Sequence, residues 1–225
     1  MTRLLGALVG LLVGFAAVAL WAGSATVLVE DWSAHPVGAK GIPEGWKGGQ
    51  TWGTPAYDFS VVQESPTKAL HLRSRGDSST ISKAVKVTLK DTPILEWQWK
   101  AVTLPTGGDA RHKHTDDQVL QLYVTWERFP KLLRSRIIGY IWDSAAPAGS
   151  VMKSQKTGLI TYVVVRSGAA DLGKWLTETR NVYEDYKRIY GEEPDGPDAI
   201  SIAIDSDDTN SSAEAYVGAI RFRAP

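Results

Sequence analysis

Most of this chain alternates between apolar and polar residues over short runs that end at Gly, Pro, Asp or Ser. A period of two residues is typical of β-strands, because successive side chains point to opposite faces. Many short strands separated by turn residues favour a β-sandwich or barrel over a fold of alternating strands and helices. The strands predicted in this way cover residues 26–32, 59–63, 69–73, 82–89, 94–102, 118–126, 137–143, 159–166, 175–180, 200–205 and 215–222.

One later segment has a helical rather than a strand-like pattern and predicts one short helix. Asn181 is placed to cap its first turn, Glu184 lies at the reciprocal position of a capping box, and Gly191 follows its end. Its apolar residues fall on one helical face, which we expect to pack against the sandwich: Val182, Tyr186, Ile189 and Tyr190.

The first residues predict export. Arg3 is followed by an uncharged apolar run over residues 4–22, and the small residues 22–25 (Ala, Gly, Ser, Ala) suit a signal peptidase. We therefore expect residues 1–25 to be a signal peptide and residues 26–225 to form a single β-sandwich domain, periplasmic or secreted. The alternative is a membrane-anchored protein held through residues 4–22, because that run approaches the roughly 18 residues that span a bilayer.

Composition narrows the classes of function. Lys plus Arg equals Asp plus Glu at 25 each, so no overall field favours a nucleic-acid partner. The chain has no cysteine, so neither disulfides nor a lipid-modified thiol can stabilise or anchor it. No Gly-x-Ser-x-Gly elbow, phosphate-binding loop or dinucleotide fingerprint occurs, and we expect no cofactor.

Alternation within the central strands separates a core face from an outward face. Trp97, Trp99, Leu120 and Leu122 require the core, so their neighbours must point away from it. If these strands are neighbours, one concave sheet surface carries the following residues, with Asp116 and Asp117 at its rim: Glu96, Gln98, Gln121, Tyr123, Tyr140, Trp142 and Arg166.

Such a surface has the chemistry of a glycan site. Planar rings stack on sugar faces, while amide, carboxylate and guanidinium groups pair with hydroxyls. We expect an exported module that binds a glycan or a similar polar ligand there. An ordinary outer face, with Arg166 in a structural ion pair, is the competing interpretation. Asp116 and Asp117 near Tyr123 could instead serve acid–base chemistry in a polysaccharide lyase or hydrolase, and a structural envelope protein without a small ligand is the third class.

Two polar clusters raise the question of a metal. Counting an EF-hand from Asp205 places Asn210 where glycine is needed and Tyr216 where the closing glutamate is needed, which favours a polar turn between two strands. A calcium site of another kind in this loop stays open. His112 and His114 have no third histidine nearby and predict a hydrated loop rather than zinc. We predict no metal site.

Three segments resemble a known family: "IPEGWKG" from residue 42, "YVVVRSGAADLGKWLTETRNVYEDYKRIYGEEP" from residue 162 and "IAIDSDDTNSSAEAYVGAIRF" from residue 202. They are similar to the bacterial family catalogued as a domain of unknown function, DUF3047. The resemblance implies a secreted, jelly-roll-like β-sandwich related in outline to lectins and carbohydrate-binding modules. It brings no established catalytic or binding residues.

Overall fold

Two β-sheets pack face to face, as the two-residue alternation predicts. The computed structural model describes residues 25–49 and 54–225. The strands in chain order are β1 (Thr26–Glu30), β2 (Lys47–Gly48), β3 (Asp58–Glu64), β4 (Thr67–Arg75), β5 (Ser78–Ala84), β6 (Ile94–Thr103), β7 (Gln118–Trp126), β8 (Arg136–Asp143), β9 (Val151–Lys153), β10 (Ile160–Ser167), β11 (Leu176–Asn181), β12 (Ala199–Asp205) and β13 (Ser212–Arg223). The helices are α1 (Lys131–Arg134) and α2 (Val182–Tyr190).

The first sheet has the strand order β11-β6-β13-β4-β3, with β1 also paired to β13. The second has the order β2-β5-β12-β7-β8-β10-β9. Among the described residues, every strand pair is antiparallel except β8 with β10, which run parallel. The predicted all-β sandwich is therefore confirmed, with one parallel pair that the sequence did not indicate.

Large aromatic side chains fill the space between the sheets. Trp97 and Trp99 of β6 are 1% exposed and contact the second sheet. The rings of Trp97 and Tyr140 stack at 5.4 Å, and those of Trp99 and Trp142 lie 5.9 Å apart. Aromatic burial of this kind gives a chain without disulfides a large apolar core.

The predicted helix is confirmed as α2. The Asn181 side chain accepts a hydrogen bond of 3.0 Å from the Glu184 amide, and Gly191 ends the helix with a left-handed φ of 73°. Tyr186 is fully buried, and its ring lies 4.6 Å from that of Trp126 in β7. The helix thus covers one end of the sandwich.

The expected signal segment lies outside the described residues, apart from Ala25. Within the described part of the chain, no helix is long and apolar enough to cross a membrane.

Candidate functional site

A pocket of about 380 Å³ lies on the outer face of the second sheet, the face turned away from the first sheet. Its floor is formed by outward-pointing residues of β5, β12, β7, β8 and β10. One end is lined by Asp116, Ser154, Lys156 and Asp205, and the other by Glu127, Lys131, Leu132 and Ser135. The pocket therefore runs along β7, from the residues before its start to those after its end.

Two tyrosines and a glycine form the middle of the floor. Gly139 of β8 pairs with Tyr123 of β7 on one side and with Tyr162 of β10 on the other. A Cβ atom at position 139 would lie 2.8 Å from Tyr123 and 3.0 Å from Tyr162, closer than carbon atoms pack. The two rings thus occupy the space that a side chain at this position would need, and glycine is required for this arrangement.

A chain of hydrogen bonds fixes the polar groups at the acidic end. The Tyr123 hydroxyl donates to the side-chain oxygen of Gln121 (Oε1) at 2.5 Å. The side-chain nitrogen of Gln121 (Nε2) in turn donates to Gln118 Oε1 at 2.5 Å. The Gln118 amide then donates to Asp116 Oδ1 at 2.8 Å. Because each group holds the next, the pocket presents its donors and acceptors in a fixed arrangement.

Asp116 is a buried carboxyl group at the acidic end of the pocket. It is 1% exposed, and Ser154 Oγ and the Tyr162 hydroxyl lie 3.3 and 3.4 Å from its Oδ2 atom. Burial raises the pKa of Asp116 to about 6, although the Gln118 hydrogen bond and the nearby Lys156 charge oppose the shift. This carboxyl group therefore exchanges its proton near neutral pH.

Lys156 connects the pocket to the loop between β12 and β13. Its ammonium group forms an ion pair with Asp208 and lies 3.8 Å from a carboxylate oxygen of Asp207. Burial and the neighbouring Asp207 raise the pKa of Asp205, the last residue of β12. The single charge of Lys156 offsets only part of the negative charge of the aspartates at this end of the pocket.

Three carboxyl groups meet behind this end, because oxygens of Asp117, Asp205 and Asp207 lie within 4.8 Å of one another. Oxygen ligands of this kind suit a hard cation. Asp117, however, already accepts hydrogen bonds from the Asp208 amide at 3.1 Å and from the amide and hydroxyl of Thr209 at 2.7 and 2.6 Å. Asp117 thus ties down the loop, and the absence of a required metal stays a prediction.

That loop differs in one respect from the polar turn that the sequence predicts. β12 belongs to the second sheet and β13 to the first, so residues 206–211 cross between the sheets rather than closing a hairpin. His112 and His114 lie in an exposed turn, as expected for a hydrated loop.

The predicted placement of Tyr140 and Trp142 on the exposed face is wrong. They are 0% and 1% exposed and lie between the sheets, where the Tyr140 hydroxyl donates to Asp185 at 2.9 Å and Trp142 Nε1 donates to the Gly168 carbonyl at 3.1 Å. Both share a face of β8, as predicted, but it is the core face. The outward face of that strand carries Gly139 and Ile141 instead.

Glu96 and Gln98 also lie away from the pocket. They point outward from β6, but β6 belongs to the first sheet, so the two residues occupy the opposite surface of the sandwich. There Glu96 accepts hydrogen bonds from Arg221 and Arg223, and the Gln98 amide lies 3.5 Å from the Thr177 hydroxyl. Alternation gives the direction of a side chain relative to the core but not the sheet to which its strand belongs.

Arg166 forms a structural ion pair rather than part of the pocket. A register shift after Val164 turns it to the edge of the sandwich. Its guanidinium group donates two bonds to Glu178 of β11, at 2.7 and 3.3 Å, and the same carboxylate accepts from Trp99 Nε1 at 3.1 Å. The pair joins the two sheets, which is the competing role that the sequence left open.

Of the nine predicted site residues, Asp116, Gln121 and Tyr123 come together in the pocket. Sequence reasoning did not assign Tyr162, Lys156 or the ring contact at Gly139 to it. The position of Tyr162 in a predicted strand gave its direction, but the parallel pairing that brings it next to β8 had no local signal.

Comparisons with known proteins support the family resemblance. A family model described as "Protein of unknown function (DUF3047)" matches residues 44–221. Comparison with curated proteins finds no match.

Similar solved structures include a family 11 carbohydrate-binding module of a cellulosomal cellulase of Clostridium thermocellum, at 8% identity and a TM-score of 0.45, covering 90% of this chain and 96% of that one. An adhesin domain of Lys-gingipain from Porphyromonas gingivalis has 11% identity and a TM-score of 0.40, covering 89% of this chain and 99% of that one. A xylan-binding domain from Paenibacillus barcinonensis has 12% identity and a TM-score of 0.38, covering 90% and 97%. Likeness at this level assigns no ligand to the chain.

Proposed function

We propose a function from the pocket itself, because this chain belongs to the family described as protein of unknown function (DUF3047), and that description assigns no activity. The proposed function is binding of a hydroxyl-rich ligand, such as the end of a glycan, on the outer face of the second sheet. The observation that carries it is the acidic end of the pocket, where Asp116, Gln121, Tyr123 and Tyr162 converge.

The groups at this end are complementary to sugar hydroxyls. A hydroxyl donates one hydrogen bond and accepts others, so a site for it needs both kinds of partner. Here the tyrosine hydroxyl oxygens can accept, because their own protons are given to Gln121 and Asp116, while the second N–H of the Gln121 amide and a remaining N–H of Lys156 can donate. The two tyrosine rings beside Gly139 add an apolar surface for the C–H groups of a sugar. Sites for small ligands typically combine an apolar, partly aromatic lining with a small number of converging polar groups.

Binding can be tested by screening the purified protein on a glycan array and measuring any ligand by calorimetry. We expect Gln121→Ala to raise the Kd about tenfold to a hundredfold, since it removes a partner from a buried network. Gln98→Ala is the matched control, because it removes the same side chain from the opposite surface of the sandwich.

Two results would reject this site. One is the absence of any ligand for the wild type. The other is a loss of binding in Trp175→Ala with none in Gln121→Ala, because Trp175 is 39% exposed and lies near Tyr216 on the outer face of the first sheet.

A second candidate, acid–base catalysis on a glycan, is favoured by the pKa of about 6 at Asp116. A carboxyl group that exchanges its proton near neutral pH can act as general acid or base. If the protein is an enzyme, incubation with the bound glycan should release new reducing ends or unsaturated products. Asp116→Asn should then abolish turnover while retaining ligand, whereas a pure binding module gives no product in either form.

We also propose that the domain functions outside the cytoplasm. The apolar run over residues 4–22 and the small residues that follow it support this proposal.

A further inference from the structure

Three large apolar side chains project into solvent between β7 and β8. Phe129 is 86% exposed, Leu132 71% and Leu133 76%, and they form with Pro130 and Lys131 what we term the apolar tip, residues 129–133. Single exposed leucines are common, but three such residues within five positions form a contiguous patch. Patches of this kind mark sites where a protein meets another apolar surface.

Cations surround the tip. Arg128, Lys131, Arg134 and Arg136 lie within or beside it, and the carboxylates that pair with them are Glu127 and Glu192. Four cations and two carboxylates leave a net charge of plus two around the patch. Apolar side chains surrounded by positive charges are complementary to an anionic lipid surface, where acyl chains lie beneath phosphate groups.

The chain enters the domain at the end of the sandwich that carries α2. β1 begins at Thr26, which pairs with Arg223, and Arg223 pairs with Ile94. Asn181, the N-cap of α2, pairs with the same Ile94. The beginning of β1 and the beginning of α2 therefore lie at one end of the first sheet.

The tip lies at this end as well, because α2 holds its base. The Tyr186 hydroxyl accepts hydrogen bonds of 2.8 Å from both Arg128 and Arg136, which flank the tip on either side. The apolar run over residues 4–22 thus joins the domain at the end that also carries the tip. If residues 4–22 stay in a bilayer, the tip therefore lies at the membrane-proximal end of the domain.

We propose that the apolar tip docks this protein onto an anionic membrane surface. Phe129, Leu132 and Leu133 enter the acyl region, and Lys131 and Arg134 contact lipid phosphates, while Arg128 and Arg136 hold the base of the tip on Tyr186. The long side chains of Lys131 and Arg134 can reach the phosphates while their methylene groups remain beside the apolar residues. Because Lys131 and Leu132 also line the pocket, docking turns that end of the pocket toward the bilayer.

The absence of native cysteine makes a direct test feasible in the full chain. Leu132→Cys is labelled with the environment-sensitive fluorophore NBD and mixed with vesicles of phosphatidylcholine and phosphatidylglycerol. We expect the emission to rise and shift to the blue, and to be quenched by lipids that carry a quencher in the acyl chain. Val37→Cys, at a position 54% exposed in a loop outside the tip, is the matched control and should not respond.

Charge and apolarity are tested separately in the same assay. In the labelled Leu132→Cys chain, Arg134→Glu should weaken vesicle binding about tenfold with phosphatidylglycerol present, because reversing one charge removes an attraction and adds a repulsion. Phe129→Ser with Leu133→Ser should weaken it about a hundredfold, as expected when two large apolar side chains no longer leave water. The readout at position 132 reports the depth of the tip, so attachment through residues 4–22 alone gives no signal.

Either of two outcomes would overturn the proposal. In the first, the fluorophore at position 132 stays in water while vesicles are bound, with the fold intact by circular dichroism. In the second, the emission shifts without vesicles and rises with protein concentration, which means that the tip pairs with a second copy of the chain.

Discussion

Asp116→Asn should stabilise this protein at neutral pH and leave its stability unchanged in acid. Asp116 is almost completely buried, and asparagine has the same shape without the charge. The Gln118 amide can still donate to the new side-chain carbonyl. The hydroxyls of Ser154 and Tyr162 can rotate to accept from its amide, so the hydrogen bonds around position 116 are retained.

The expected gain in the free energy of unfolding follows from the raised pKa of Asp116. Burial raises the pKa of Asp116 from 3.8 to about 6, so the folded state favours the protonated carboxyl. One pKa unit corresponds to about 1.4 kcal/mol, and the ionised carboxyl therefore costs the fold on the order of 3 kcal/mol above pH 6. The penalty shrinks as the pH falls from 6 toward 3.8 and is absent below it. The variant should thus be more stable by about this amount at pH 8 and equal to the wild type near pH 3.5.

Urea unfolding of both proteins from pH 3.5 to pH 8 measures this difference directly. Glu96→Gln is a control of opposite sign. Partial burial of Glu96 raises its pKa, but hydrogen bonds and charge from Arg223 and Arg221 outweigh this and lower it. The glutamine variant should lose stability relative to the wild type as the pH rises. A stability difference for Asp116→Asn that is constant with pH would refute the electrostatic argument.

The remaining predictions concern the floor of the pocket, the N-terminus, and the acidic loop, by which we mean residues 206–211 between β12 and β13. Gly139→Ala should lower the free energy of unfolding by about 1–3 kcal/mol in urea, because the added methyl group displaces the rings of Tyr123 and Tyr162, whereas Gly158→Ala, with open space around it, is the control. EDTA should change the melting temperature by less than about 5 °C in calorimetry, because Lys156 already supplies positive charge to the acidic loop; a larger fall would reveal a required metal. Mass spectrometry of periplasmic material should find a new N-terminus near Ala25, and an intact residue 4–22 segment would favour the anchor instead.

The fold was predictable because local pattern decides most of it. Alternating residues and turn signals give each strand independently of its partners, and the capping residues of α2 act within one turn. The strand predicted over residues 82–89 was displaced, since the structure has β5 at Ser78–Ala84. Its serines and threonine carry little apolar signal, and pairing with β12 and β2 decides its position. The strands β2 and β9 gave no signal because they span only two and three residues, too few to show alternation.

The site was only partly predictable because it depends on which strands are neighbours. Gln121 and Tyr123 were placed correctly by the burial of Leu120 and Leu122 on the other face of β7. Tyr140 was misplaced because β8 carries large side chains on both faces, so alternation does not say which face is the core. Its ring stacks on Trp97, and that contact between sheets is not visible in either strand alone.

The two ends of the pocket differ in chemistry: one carries buried polar and charged groups, and the other adjoins the apolar tip. A buried carboxyl whose pKa is raised by burial is a candidate for a functional role, because asparagine has the same shape without the cost of the charge. Asp116 stands at the acidic end, where its Oδ1 atom accepts a hydrogen bond from Gln118, which in turn accepts one from Gln121. The other end opens beside Leu132 of the apolar tip. If the proposed ligand binding and the proposed membrane docking both hold, a ligand bound at the acidic end and reaching toward the tip passes from a polar site to the membrane surface. The two proposals together then predict that glycans presented close to a bilayer bind more tightly than the same glycans free in solution.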